Sequence, residues 1–295
     1  MGGIFAIVCK ETSIPRGAIY EGLRRLTYRG YDGAGVAFMR EDLLEVRKAP
    51  GHVENVSKQI DLVNIDSDIA VGHTRYASRG WPVYENTHPF KDCTHKLAVV
   101  GDGIIENYEE VRNKLEKLNH VFSSRTDTEV AVHLLEEYLK STSDRREALM
   151  SVTRDLHGMY SLVFLDSSTR SLLIVQSGQP LVVGFSADRK CIYVSSDLPS
   201  LYGFAETAYI LEDNTVGIVS RDLVEFYNAL SGVKIELSQL QAKRVKYISE
   251  YVEKGGFPHY MLKEIYEIPD ALRRVPLIIM DKYLRLAAMI IQGAK

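Results

Sequence analysis

The chain has 295 residues, 45% hydrophobic and 25% charged, with a net charge of -3 and a pI near 6.3. That is an ordinary globular composition without the basic stripe of a nucleic-acid binder, and no apolar run approaches the roughly 20 residues of a membrane helix. The N-terminus MGGIFAIVCKETS has no basic n-region or small-residue cleavage site, and Ala6 stands where a myristoylation motif wants Ser or Thr. A cytoplasmic protein with no nucleic-acid or membrane partner is expected.

In chain order, a short apolar run at Gly3–Cys9 opens the sequence. An amphipathic helix over Arg16–Thr27 follows, carrying Ile19, Leu23 and Leu26 on one side. Further strands are expected at Gly35–Met39, Ile69–Thr74 and Lys96–Val100, since these runs are rich in Val, Ile and Phe and bounded by Gly, Asp or Ser. Helices follow at Tyr108–Leu118 and Arg145–Leu156. Between them, Thr126 and Glu129 form the spacing of a capping box, opening a helix through Val130, Leu134, Leu135, Tyr138 and Leu139. After Leu156 strands dominate: Tyr160–Leu165, Leu172–Gln176, Leu181–Phe185, Cys191–Val194, Thr207–Leu211, Thr215–Val219 and Leu223–Tyr227. The segregation suggests sheets layered against helices, an α+β protein. From Tyr260 the tail reads as helix, broken at Pro269 and Pro276, with a strongly apolar stretch over Ile278–Ile291 that wants a partner.

Three cysteines, Cys9, Cys93 and Cys191, are far apart and odd in number, and no CxxC pair occurs. Neither a disulfide framework nor a structural zinc is expected, and no metal or cofactor. The eight histidines show no HxxxH spacing, so each reads as an ordinary satisfied side chain.

Polar, glycine-rich segments mark where chemistry could sit: Tyr28–Gly35, His73–Gly80, Gly101–Gly103 and Arg125–Asp127, each reading as a loop. Arg75 could fork onto a carboxylate and Asp127 could accept from an ammonium, a pair that would hold an α-amino acid by both charged ends. A set of turns with capping residues explains the same segments equally well.

The motifs MGGIFAIV, RRLTYRGYDGAG, GHTRYASRG, ENTHPF, VVGDGIIENY, RTDTEV, SGQPLVVG, SSDLPSL and HYMLKEIYEIP run in order from residue 1 to about 272. Together they resemble the class II, N-terminal-nucleophile glutaminase domain of glucosamine-6-phosphate synthases. YRGYDGAG and HYMLKEIYEIP favour that branch over phosphoribosyl-pyrophosphate amidotransferases and asparagine synthetases. The resemblance implies a four-layer αββα sandwich over residues 1–240. It also implies a helical linker over 241–295 toward a sugar isomerase domain in cis or trans, a homo-oligomeric full-length protein, glutamine as ligand and a role in hexosamine synthesis.

By the same resemblance, residue 2 should be a nucleophilic cysteine; here it is Gly2, and Cys9 lies too far along the strand to replace it. The family's oxyanion hole pairs an asparagine side chain with the next glycine's N–H. Here Asp102 stands for the asparagine, Gly103 remains, and Gly101 replaces a histidine. A carboxylate has no N–H to donate. Arg75 matches the arginine that holds the glutamine carboxylate, and Asp127 matches the aspartate that holds its ammonium. Ser78 stands for a threonine, Tyr76 for a tryptophan and Arg79 for a histidine; Arg29 matches a structural arginine. The resemblance therefore implies the N-terminal amidotransferase-type domain of a glutamine–fructose-6-phosphate transaminase (isomerising)-like protein with its glutaminase chemistry lost, and the alternative is a non-catalytic glutamine-binding or regulatory module partnering a synthase-like subunit.

Overall fold

Strand β1 (Gly2–Cys9) is buried along its whole length, and its side chains divide by parity. Phe5, Ile7 and Cys9 enter one apolar cluster, Ile4, Ala6 and Val8 another. Successive side chains of a strand point to opposite faces, so a strand apolar at every position must be covered on both. The computed structural model, which describes residues 2–10, 13–245, 256–279 and 291, supplies both covers.

The remaining strands are β2 (Gly33–Arg40), β3 (Leu43–Pro50), β4 (Ile69–Arg75), β5 (Phe90–Lys91), β6 (Leu97–Ile105), β7 (Gly158–Asp166), β8 (Ser171–Ser177), β9 (Val182–Phe185), β10 (Cys191–Ser195), β11 (Thr207–Ile210), β12 (Thr215–Val219), β13 (Val224–Asn228), β14 (Lys234–Ile235) and β15 (Gln241–Arg244). They form two antiparallel sheets, ordered β15-β11-β9-β10-β1-β4-β2-β3 and β14-β13-β12-β8-β7-β6-β5. Helices α1 (Ala18–Arg25) and α2 (Val53–Ile60) cover the first sheet through Ile19, Leu23, Val53 and Val56. Helices α3 (Tyr108–Lys117), α4 (Glu129–Ser141) and α5 (Arg145–Asp155) cover the second through Val111, Leu115, Val130, Leu135, Leu149 and Val152. Between the sheets lies a third core, with Val100, Val163 and Ile174 facing Ile4, Ala6 and Val71. The result is the expected αββα sandwich. Among the described residues no helix is long and apolar enough to cross a membrane.

The structure departs from the sequence reading in five places. Gly101-Asp102-Gly103 is no loop but the middle of β6, in register with Leu162, Ser161 and Tyr160. The capping box does not form: α4 is preceded by Thr128 with no side-chain cap. The Glu129 carboxylate instead takes N–H and O–H donors from Ser123 and Ser124, while Thr126 pairs with Ser124. Cys9 and Cys191, directly opposite on β1 and β10, close a disulfide. The expected boundary after residue 240 falls one strand later, because Gln241–Arg244 pairs with β11. The first compact unit ends at Tyr247 and the second begins at Ile248.

In the second unit, helix α6 (Tyr260–Ile279) runs unbroken through Pro269 and Pro276. Each proline removes one i→i−4 bond without ending the run. Lys263 and Glu267 pair at 3.6 Å, one turn apart. Most of the apolar stretch after Ile279 lies outside the described residues.

Candidate active site

At one end of the sandwich the two sheets bring Gly2 and Asp102 together. Gly2 has the parity of Ile4 and Ala6, and Asp102 that of Ala98 and Val100, so both point into the space between the sheets. The Gly2 N–H donates to Asp102 Oδ1 at 2.8 Å. The other carboxylate oxygen accepts from Arg29 Nη2, and Arg29 Nε donates to the Gly2 carbonyl at 3.0 Å. Arg29 reaches this point because the 3-10 turn Thr27–Arg29 follows α1 directly. The Asp102 side chain is fully buried and that of Arg29 is 18% exposed. Burial disfavours the guanidinium charge, but the attraction and hydrogen bond of Asp102 hold its pKa above the ordinary value. Removing one partner of such a pair leaves the other charge uncompensated.

The space beside Gly2 is already filled. A Cβ placed there would lie 2.4 Å from His73 Nε2 and 2.7 Å from the Thr74 carbonyl oxygen. One neighbour is a side-chain tip, but the other is backbone, so any side chain at position 2 forces a shift. His73 is held in place: its Nε2 donates to the Gly101 carbonyl at 2.9 Å, which assigns the proton to that nitrogen. The ring stacks on His88 at 4.1 Å, and His88 Nδ1 accepts from the Gly101 N–H at 3.3 Å. Burial lowers the His73 pKa to about 3 and takes His88 well below its usual value, with the neighbouring His73, Arg75 and Lys48 adding to it. Both rings are neutral. At Gly101 a Cβ would meet the Thr128 side chain at 2.7 Å and that of Leu162 at 2.9 Å, so a histidine there would require these side chains to shift.

Next to this cluster opens a narrow polar pocket lined by Arg75, Tyr76, Ser78, Arg79, Gly103, Asp127 and Thr128, with His73 and His88 in its wall. Arg75 ends β4, opposite Gly2. Its Nη1 donates to the Trp81 carbonyl and its Nη2 to those of Arg79 and Gly80, at 3.1, 2.6 and 2.9 Å. A guanidinium has five N–H donors, so Nε and one Nη1 hydrogen remain for a ligand. Burial lowers its pKa, against the attraction of Asp32 and Asp127. Asp127 Oδ2 accepts from the Ile105 N–H at 2.8 Å, leaving Oδ1 for a cation. Tyr76 is exposed and meets Tyr31 edge-on at 6.2 Å. Ser78 is exposed, and Arg79 lies over the Tyr108 ring at 4.6 Å. Gly103 adopts φ +99°, and a Cβ there would fall 2.1 Å from the Met159 carbonyl oxygen, so only glycine fits.

The residues singled out in the sequence thus gather at one end of the fold, but in two groups. Arg75, Tyr76, Ser78, Gly103 and Asp127 line the pocket; Gly2, Asp102 and Arg29 form a closed knot beside it. Sequence reasoning missed His73 and His88. The signal was present in that His73 opens the polar segment His73–Gly80 and His88 lies within the motif ENTHPF.

Comparison with known proteins bears on the fold that carries this site. A glutamine amidotransferase domain family matches residues 73–203. The glutamine–fructose-6-phosphate aminotransferase (isomerizing) of Pyrococcus horikoshii is 38% identical over 86% of this chain and 42% of its own length. That of Aeropyrum pernix is 37% identical over the whole chain and 49% of its own length. The chain therefore spans under half the length of these curated relatives. Among solved structures, the B. subtilis glutamine phosphoribosylpyrophosphate amidotransferase complexed with ADP and GMP superposes with a TM-score of 0.68 at 22% identity, over 78% of this chain and 50% of that one. The two-sheet sandwich that joins Gly2, Arg75 and Asp102 is accordingly a class II amidotransferase fold, and the chain belongs with the glutaminase domains of the glucosamine-6-phosphate synthase family.

Proposed function

We propose that this domain has lost glutamine hydrolysis and serves as a glutamine-binding module of a glutamine–fructose-6-phosphate transaminase-like protein of hexosamine synthesis. One observation carries the reading: the position of the family nucleophile is occupied by a glycine whose N–H is committed to Asp102, itself paired with Arg29. Covalent amide hydrolysis needs a side-chain nucleophile at that point, and Gly2 offers none. It also needs donors for the oxyanion. Asp102 accepts on both oxygens, and losing one such donor typically costs about 3 to 4 kcal/mol of transition-state stabilisation. An α-amine freed at Gly2 would lie against the same carboxylate, which is already paired with Arg29.

The two changes support each other, because Arg29 and the Gly2 N–H between them use both oxygens of Asp102. That mutual fit favours natural degeneration over a substitution made to trap substrate. Arg75 and Asp127 keep free hydrogen-bonding capacity, which supports glutamine capture as the surviving task. A sugar isomerase domain, in cis or in a partner chain of an oligomer, would use or sense the result.

The test is glutamate release from glutamine by the full chain, with calorimetry on the same sample. We expect release at the level of a protein-free blank, measurable heat with glutamine, and none with fructose 6-phosphate. Glutamate production well above the blank would overturn the proposal.

A further inference from the structure

Away from the pocket, three segments of chain converge on one compact group of donors. Cys93 follows β5, His120 follows α3, and His133 and Glu136 stand three residues apart on α4. His120, His133 and Glu136 are buried, while Cys93 lies at the surface with its Sγ against both rings. The sulfur is 3.6 Å from His120 Nδ1 and 3.5 Å from His133 Nδ1. Glu136 Oε2 is 3.2 Å from the first of these nitrogens and 3.5 Å from the second. The four ligand atoms all lie within 4.8 Å of one another.

Zinc binds thiolate at about 2.3 Å and imidazole or carboxylate at about 2.0–2.1 Å, so a tetrahedral site has ligand-to-ligand edges of about 3.3–3.6 Å. Four of the six edges here match within a few tenths of an ångström. We propose that Cys93, His120, His133 and Glu136 bind a divalent zinc-class ion that pins two loops to helix α4.

The surroundings suit that ion. His120 Nε2 lies 3.0 Å from Glu137 Oε2, a hydrogen bond that keeps the proton on Nε2 and turns the Nδ1 lone pair toward the ion. Cys93 Sγ accepts from the Val121 N–H at 3.4 Å, which suits a thiolate. His133 Nε2 is buried without a hydrogen-bond partner among the described residues, as for a ring seated by its other nitrogen. The two His120 nitrogens each face a carboxylate, Nδ1 toward Glu136 and Nε2 toward Glu137. With an ion, the Cys93 thiol proton goes to solvent on binding. Four protein ligands close the tetrahedron, so the site would be structural, with other borderline divalent ions such as cobalt able to substitute.

The consequence reaches the pocket through the chain itself. Glu129, the first residue of α4, holds Ser123 and Ser124, and Asp127 lies in the segment between. Fixing both ends of that segment to α4 fixes the ammonium-binding residue.

The experiment is elemental analysis of the full chain as purified, followed by chelator treatment and titration with Co²⁺. We expect about one zinc per chain, a lower Tm after chelation that zinc restores, and a thiolate-to-cobalt charge-transfer band with tetrahedral d–d bands. Cys93→Ser should lose the charge-transfer band while retaining its circular dichroism. Glu137→Gln, which leaves all four ligands in place, should weaken zinc binding roughly 10–100-fold. A chain that carries no metal and gains no Tm with zinc would overturn the proposal. Cobalt bands that persist unchanged in Cys93→Ser would do the same.

Discussion

The pocket and the knot beside it are built from neighbouring strand ends, yet they have fared differently. In the pocket, Arg75 and Asp127 retain unused hydrogen-bonding capacity and are shaped to receive something. In the knot, Gly2, Asp102 and Arg29 satisfy one another. Recognition needs unfilled donors held rigidly, and the pocket has them; on the proposed reading, a site loses its chemistry while its specificity groups stay in position.

The contrast can be broken most forcefully at Asp102. Asp102→Ala leaves Arg29 buried without a counter-charge and should destabilise the domain by about 3–5 kcal/mol in urea unfolding. An effect within experimental error would mean the knot contributes nothing. Next comes Gly2→Cys, which restores the family nucleophile but drives Cβ into His73 and the Thr74 carbonyl. Overpacking of this kind should cost about 1–3 kcal/mol, and glutamate release should stay at the blank while Asp102 remains.

The histidine wall gives a pH signature. His73 has a folded pKa depressed to about 3, so the unfolded chain binds the proton more readily. The stability it contributes is fully present above about pH 6.5 and is lost as pH falls from there toward 3, on the order of 1 kcal/mol per pH unit. His88 acts in the same direction. Denaturant midpoints measured between pH 7 and 4 should show the slope, and His73→Phe should flatten it. The smallest effect on stability belongs to the pocket. Asp127→Asn keeps an acceptor for the Ile105 N–H, so Tm should barely move, while glutamine affinity falls about 10-fold or more for loss of a charged hydrogen bond.

Most of the layered fold could be read from the sequence, because strands such as Gly2–Cys9 are apolar at every position and can only be covered on both faces. The helices α1, α3, α4 and α5 announced themselves by apolar spacing. Short or half-exposed elements did not: α2 is eight residues long, and β3 carries exposed and half-buried positions on an edge. The Cys9–Cys191 pairing depends on β1 lying beside β10, 182 positions apart in sequence. No local pattern encodes that. At the site, the residue types were legible through motif order, but their engagement was not. That Asp102 would meet Arg29 follows from a short turn after α1 meeting a strand of the other sheet, a matter of packing rather than spacing. The donor group around Cys93 escaped for the same reason, since its members come from three separate segments.

Asp102 belongs to the second sheet, whereas Gly2 begins a central strand of the first and Arg29 follows the helix packed on it. Its two contacts therefore act as a rivet across the seam of the sandwich, alongside the bond of His73 to the Gly101 carbonyl and the pairing of Asp68 with Arg170 and Arg221. Sliding one layer over the other would have to pull a charged pair apart in a dry setting. A carboxylate at position 102 thus gives the scaffold a lock against shear between its layers.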